Sequence, residues 1–347
     1  MQLSFDTLEE QFQYFPGTRY MGSKNKIIYD IWQRLENIGF ESVLDAFGGS
    51  NVVGYFLKCQ GKKVITNDFM SFSHITSKAI IENSNEQLNK EDLKFLLKKN
   101  KNNGFIEKTF KDIFYSLEEN QFLDRVRQNI SDLQNEYKEA LALSALVRAC
   151  VKKRSRGIFT FVGERYNDGR LDMKRTIEDH FKESIQIFNK AVFDNGQSNK
   201  SYNNRSEDLK VKTDLVYFDP PYFTPKSDND YARRYHFVEG LVKNWEGLTI
   251  QEHSIVKKFE SYKSPFAKKD TAYSAFEHLF ETHKNSIIAI SYSSNSFPNK
   301  EELTEMLRKY KSEVIVHEID HTYSFGNQNH KIGNQNNRVK EYLFIGI

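Results

Sequence analysis

The sequence predicts an α/β fold: a parallel sheet assembled from both ends of the chain, with a mainly helical insertion between its halves. Three observations carry this expectation. Strand, helix and strand patterns follow one another from residue 42 to residue 69 at the spacing of a βαβ unit. The same alternation returns after residue 213. Between them, residues 85 to 199 are rich in Lys, Asn, Glu and Phe and read mostly at helical period. At 347 residues the chain has room for a large core, and no internal repeat is visible.

In order, "GSKNKIIYDIWQRLENIGF" places Ile27, Ile28, Ile31, Trp32, Leu35 and Ile38 at helical spacing, and Gly39 follows as a stop. "SVLDAF" reads as a buried strand, followed by a glycine-containing turn, the helix-like "NVVGYFLKCQ", and a second strand in "KKVITNDF". Within the insertion, "EDLKFLLKKN" and "YKEALALSALVRACVKK" read as helices, and "RSRGIFTFVGERYNDGR" as a hairpin or loop. "TDLVYF" is a strand that Pro220 and Pro221 end, because proline fixes its own φ, lacks an N–H and holds the preceding residue extended. Downstream, "TIQEHSIVKKFESY" and "DTAYSAFEHLFETH" read as helices, "SIIAISYS" as a strand and "NKEELTEMLRKY" as a helix. The strands "SEVIVHEIDHTY" and "KEYLFIGI" flank a polar loop at 324–338.

Composition narrows the function classes. A net charge of +3 excludes a uniformly basic protein and permits a local basic patch. Two cysteines, Cys59 and Cys150, make neither a metal cluster nor a disulfide framework, which fits a reducing compartment. "MQLSFDTLEEQ" lacks the basic region and apolar core of a signal peptide, and no apolar run is long enough to span a membrane. The expected location is cytoplasmic, away from membranes.

Two stretches carry chemistry. In "VLDAFGGSNVVG", Gly48 and Gly49 let the backbone approach a ligand beyond a strand's carboxyl end. Asp68 ends the next strand 20 residues after Gly48, the spacing at which a carboxylate accepts from ribose hydroxyls. The glycine spacing is not that of a dinucleotide site, and Asp45 would repel a pyrophosphate. It suits a cation such as the amino or sulfonium group of S-adenosylmethionine. "RYMGSK" adds Lys24 at a helix start, where a carboxylate can bind. The second stretch, "DPPY", holds Asp219 at the end of a strand, so that its side chain and the Pro220 carbonyl form a pair of acceptors beside the flat face of Tyr222. Such a clamp suits an exocyclic NH2 on a planar base: adenine N6, cytosine N4 or the amine of an RNA adenine.

Taken together and in this order, "RYMGSK", "LDAFGGSN", Asn67-Asp68, "SEDL" and "DPPY" resemble the bacterial and phage DNA adenine-N6 methyltransferases, and more closely their Dam-like class. The resemblance spans residues 15–84 and 200–347. It implies a Rossmann-like S-adenosylmethionine-dependent methyltransferase sheet at 1–84 and 200–347, with a target-recognition insertion at 85–199. Residue by residue, it implies that Tyr20, Gly22 and Lys24 face the methionine part of S-adenosylmethionine and that Asp45, Phe47 and Gly49 shape its central pocket. Asp68 would bind the ribose, Asp208 and Leu209 the cofactor's adenine, and Asp219, Pro220 and Tyr222 the target base. The family's cytosine members usually carry Ser where this chain has Asp219, which favours adenine. Ala46 and Asn51 depart from the Pro and Gly common in the family, and Asn tolerates the left-handed backbone such a turn needs. An inactive DNA-binding protein on the same fold is the alternative from another class; the intact Lys24, Asp68, Asp208 and Asp-Pro-Pro-Tyr argue against it.

The implied partner is double-stranded DNA, with a restriction endonuclease acting separately as a second. Residues 151–170 hold six basic residues, Lys152, Lys153, Arg154, Arg156, Arg165 and Arg170, against two acids, Glu164 and Asp168. Arginines beside a glycine turn reach phosphates and guanine edges, so this segment is the expected DNA contact. No metal is expected, because a sulfonium activates its own leaving group.

Overall fold

A computed structural model of the protein describes residues 8, 10–163, 170–222, 230–260, 262–322 and 338–347. Two compact units divide it: Met1–Tyr20, Met70–Gly196 and Tyr231–Tyr262 form one, and Met21–Phe69, Gln197–Asp230 and Lys263–Ile347 form the other.

The second unit holds the sheet. Its strands are β1 (Ser42–Asp45), β2 (Lys63–Asn67), β3 (Lys200–Tyr202), β4 (Leu215–Phe218), β5 (Ile287–Ser293), β6 (Val314–Thr322) and β7 (Arg338–Gly346), in the spatial order β3-β2-β1-β4-β5-β7-β6. β1 to β5 pair in parallel, while β7 runs antiparallel to both β5 and β6. The sheet is therefore mixed rather than purely parallel. The central strands are uniformly apolar because both faces are covered: Val43, Leu44, Leu215, Val216, Ile288 and Ile290 are wholly buried. On one face, Leu44, Val216, Phe218, Ile290 and Phe344 pack with Phe276, Leu279 and Phe280 from helix Lys269–Thr282 and Leu303 and Leu307 from helix Lys300–Arg308. Strand order reverses between β1 and β4, and the crevice beyond the carboxyl ends of strands at such a point is where open α/β sheets bind ligands.

The first unit is helical. Its central helix, Glu136–Lys152, buries every residue from Ala140 to Val151, which an element enclosed on all sides requires. It packs against helix Ile177–Ala191 and helix Ser71–Ser77. Capping boxes begin Lys90–Leu97, Leu117–Ser131 and Ile177–Ala191, where Asn89, Ser116 and Thr176 each exchange hydrogen bonds with an acid three residues on.

Two expectations change. The described residues of the segment 249–262 do not form the expected helix. Gln251 N–H donates to the Lys258 carbonyl at 2.7 Å, Ile250 bridges Phe259, and Lys257 takes φ 53°, so the chain folds back on itself. Val256 and Phe259 are buried while Ile255 is exposed, an arrangement that anchors a loop at its feet and leaves its tip in water. β3 is an added strand, three polar residues long, recruited by parallel pairing to β2 rather than by its own pattern. Among the described residues no helix is long and apolar enough to cross a membrane.

Candidate active site

β1, β2 and β4 end side by side, which brings Asp45, Asp68 and Asp219 to one edge of the sheet. The turn after β1 is tied down at several points. Gly48 N–H donates to the Asn67 carbonyl at 2.8 Å, Asn67 Nδ2 donates to the Ala46 carbonyl at 3.2 Å, and Asn51 N–H closes onto the Gly48 carbonyl at 2.6 Å. Gly49 and Asn51 both adopt positive φ, 51° and 62°, so Asn51 occupies the left-handed conformation expected of it. Gly49 N–H donates to Asp68 Oδ2 at 2.7 Å, so one carboxylate both braces the turn and stands at the end of β2.

Asp45 is 1% exposed, and neither of its oxygens has a hydrogen-bond partner among the described residues. Burial first, then the charges of Asp219 and Asp68, push its carboxyl up to about 7. Gly54 and Phe47 backbone N–H groups only partly oppose this rise, and a buried carboxyl beside two others fits a cationic ligand and would repel a phosphate. These residues thus match the donor set an S-adenosylmethionine-type group requires.

Lys24 lies in the short 3-10 turn Lys24–Lys26 and is 4% exposed. Its ammonium donates to Asp219 Oδ1 at 2.8 Å and pairs with Glu341 Oε1 at 3.1 Å. Rather than presenting a bare cation for a cofactor carboxylate, Lys24 is engaged by two acids of the protein. Burial pushes the Asp219 carboxyl up to about 6, opposed by Lys24 and reinforced by Glu341. No described residue donates to Asp219 Oδ2. The Tyr217 phenol, buried on β4 near this cluster, is held neutral by burial and by the charge of Asp219.

Pro220 is buried behind Asp219, and Tyr222 sets its ring edge-on to Tyr292 at 5.7 Å and 78°, against the core. Phe47 stands edge-on to Phe218 and Phe266, and Leu209 is 5% exposed in the same apolar cluster. Asp208 is exposed at the end of the 3-10 turn Ser206–Asp208, whose Glu207 carbonyl contacts His278 Nε2 at 2.9 Å. Gly22 takes φ 78°. The sheet unit thus collects Gly22, Lys24, Asp45, Phe47, Gly49, Asp68, Asp208, Leu209, Asp219, Pro220 and Tyr222. Tyr20 belongs to the helical unit, where its ring stacks on Tyr235 at 5.2 Å and 2° and on Tyr231 at 5.7 Å.

The basic segment also lies in the helical unit. Arg154 is 1% exposed. Its guanidinium donates to the carbonyls of Phe161 at 2.8 Å and Gly163 at 3.1 Å and lies over the rings of Phe114 and Phe161. The expectation that Arg154 meets DNA directly does not fit this burial; it holds the segment from within. Lys152 pairs with Asp172, and Lys153 with Glu119 and the Arg175 carbonyl. Arg156 is partly exposed at φ 58°, followed by Gly157 at 71°. Phe159 is wholly buried and Phe161 nearly so, as core residues are. Arg165 and all but the last residue of the polar loop 324–338 lie outside the described residues.

Glu341 is marked by no motif, and Ser291 only opens "SYSSNSF" at 291–297, a looser part of the family resemblance. Ser291 Oγ donates to Glu341 Oε1 at 2.8 Å. The available signal was one acid inside the apolar strand "KEYLFIGI", at a position that alternates with buried Leu343 and Ile345.

A family model, the D12 class N6 adenine-specific DNA methyltransferases, matches residues 20–306. The chain is 31% identical over 349 residues to the Type II methyltransferase M2.HphI of Haemophilus parahaemolyticus, covering 95% of this chain and 97% of that protein. It is 26% identical to the modification methylase StsI of Streptococcus sanguinis and 25% identical to the Type II methyltransferase M.FokI of Planomicrobium okeanokoites. Those matches cover 86% and 84% of this chain and 47% of each relative, so the chain spans about half the length of those two.

Proposed function

The chain belongs to the D12 class of N6 adenine-specific DNA methyltransferases, and from that premise we propose that Asp219, the Pro220 carbonyl and Tyr222 hold the target adenine while the turn after β1 holds S-adenosylmethionine. The observation that carries this reading is the convergence of Asp45, Asp68 and Asp219 at the reversal point of the sheet. The reaction is site-specific methylation of adenine N6 in DNA, with the methyl donor of the S-adenosylmethionine type that the family implies.

Asp45 would face the cationic part of the donor, with Phe47 and Gly49 shaping the pocket around it, Gly22 would let backbone approach it, Asp68 would take the ribose, and Asp208 and Leu209 would border its adenine. When bound, S-adenosylmethionine supplies a methyl group on a positively charged sulfur whose departure leaves a neutral thioether. The protein's task is at the amine. Adenine's N6 lone pair is delocalised into the ring. Accepting its two N–H groups at Asp219 Oδ2 and the Pro220 carbonyl would favour a pyramidal nitrogen whose lone pair is freed for attack. As the N–C bond forms, one N6 proton is given up through Asp219 to water. Holding both reactants in register makes the transfer effectively unimolecular, worth up to about 7–11 kcal/mol in favourable cases. A stacked base cannot reach such a clamp, so the adenine leaves the duplex and Tyr222 replaces its lost stacking.

Target recognition is assigned to the helical insertion at 85–199, with Lys152, Lys153, Arg156 and Arg165 reaching DNA from a segment that Arg154 shapes. The relatives, two Type II methyltransferases and a modification methylase, favour a modification enzyme that protects sites from a separately acting restriction endonuclease. Expression in a methylation-free host, with modified bases mapped by single-molecule sequencing, should reveal N6-methyladenine in one sequence context. Asp219→Ala should abolish the mark while S-adenosylmethionine binding, read by calorimetry, persists; an undiminished mark would refute the assignment.

A further inference from the structure

Glu341 is an acid where strand logic asks for an apolar residue. It is 1% exposed on β7, two residues before the wholly buried Leu343, and burying a carboxylate there costs stability that a hydrophobic side chain would not. One oxygen accepts from Ser291 Oγ at 2.8 Å and pairs with Lys24 Nζ at 3.1 Å; the other has no partner among the described residues. Lys24 in turn donates to Asp219 Oδ1 at 2.8 Å. Ser291 is fixed by β5, which pairs with β4 on one side and β7 on the other. The line Ser291, Glu341, Lys24, Asp219 therefore runs from the centre of the sheet to the amine clamp.

We propose that Glu341 is a positioning residue for adenine methylation: by clasping Lys24 it fixes the ammonium on one oxygen of Asp219 and leaves the other oxygen to the target amine. The inference rests on the role given to Asp219 above. A lysine partnered by Asp219 alone would draw charge from that carboxylate and weaken it as an acceptor. A second carboxylate on the same ammonium offsets that pull and also fixes where the ammonium sits. The other titratable groups facing the cluster are Tyr217 on β4, Asp45 at the end of β1 and, beyond Asp45, Asp68 at the end of β2.

The test uses the full-length enzyme, saturating S-adenosylmethionine and a duplex carrying the mapped site, comparing Glu341→Gln, Ser291→Ala and Asp219→Asn. Glu341→Gln should lower kcat about tenfold with the cofactor KM unchanged, and should move the acid limb of kcat to lower pH, because Asp219 loses a like-charged neighbour. Ser291→Ala keeps every charge, so it should lower kcat less and leave the limb in place. An equal fall at every pH, as mere loss of packing would give, overturns the proposal, as does a wild-type kcat for Glu341→Gln. If Glu341→Gln does not fold, Ser291→Ala decides, and a wild-type kcat there overturns it. An inactive Asp219→Asn beside an unaffected Glu341→Gln removes only this inference. An active Asp219→Asn removes the reading beneath it and the inference with it.

Discussion

Lys24 donates to Asp219 across 2.8 Å, joining the turn that precedes the first long helix of the sheet unit to the carboxyl end of β4, 195 residues later. Both groups lie at the edge where the central strands end, so their pairing couples the two halves of the catalytic unit. Lys24→Met should lower kcat by on the order of a hundredfold, since a displaced acceptor costs that much when reactants must be in register. Removing the cation should also move the acid limb of kcat to higher pH, the reverse of the shift expected for Glu341→Gln. Single-turnover methylation across pH checks both.

The wild-type profile follows from Asp219. Its carboxyl is pushed up to about 6, and in the proposed role it is a strong acceptor, able to take up the N6 proton, only when ionised. Turnover should therefore fall as pH drops through about 6. A profile flat down to pH 5 would remove Asp219 from the role of acceptor.

Asp45 links the site to stability. Its folded value, about 7, lies above the ordinary carboxylate value of 3.8, so folding favours its protonated form. Its contribution to stability is fully present below about pH 4 and is lost as pH rises through 7. Asp45→Asn should raise the melting temperature of the cofactor-free protein at pH 8 by roughly 3 to 6 °C. The gain should shrink towards pH 5, while S-adenosylmethionine binding weakens at both. Thermal melts and calorimetry on the same samples read the two effects.

Arg154 and Arg156 should separate cleanly although two residues apart. Arg154→Lys loses the planar fork that bonds the Phe161 and Gly163 carbonyls inside the fold, and should cost about 2–4 kcal/mol in denaturant unfolding. Arg156→Ala should leave stability nearly unchanged and flatten the dependence of DNA affinity on salt by about one unit of slope.

Asn51 tests the turn. At φ 62°, Asn51→Gly should bind S-adenosylmethionine as the wild type does. Asn51→Val places a β-branched residue in a left-handed conformation, and should destabilise by about 1–3 kcal/mol and weaken the cofactor. Equal behaviour of the two variants would show that the conformation is unimportant.

Several parts of this protein were legible one residue at a time. β1, β2 and β4 follow from short apolar runs bounded by polar residues, and the end of β4 follows from Pro220 and Pro221, because backbone sterics are local. The left-handed turn at Asn51 is also a property of adjacent residues, and the family shows in the order of short motifs along the chain. The segment 249–262 departs from its pattern for the complementary reason: its few apolar residues fit a helical period, but which of them are buried depends on what they meet.

The sequence by itself determined the family, the central strands and the Asp-Pro-Pro-Tyr stretch that ends β4. Only the tertiary structure decided how those acids are balanced. Lys24, expected to serve a cofactor carboxylate, is held between Asp219 and Glu341. Arg154, expected on DNA, is closed inside aromatic rings and carbonyls. Asp45 is buried beside the like charges of Asp219 and Asp68. A charge in the interior takes its meaning from whichever opposite charge or dipole lies within a few ångströms, and here those neighbours come from strands and turns far away along the chain.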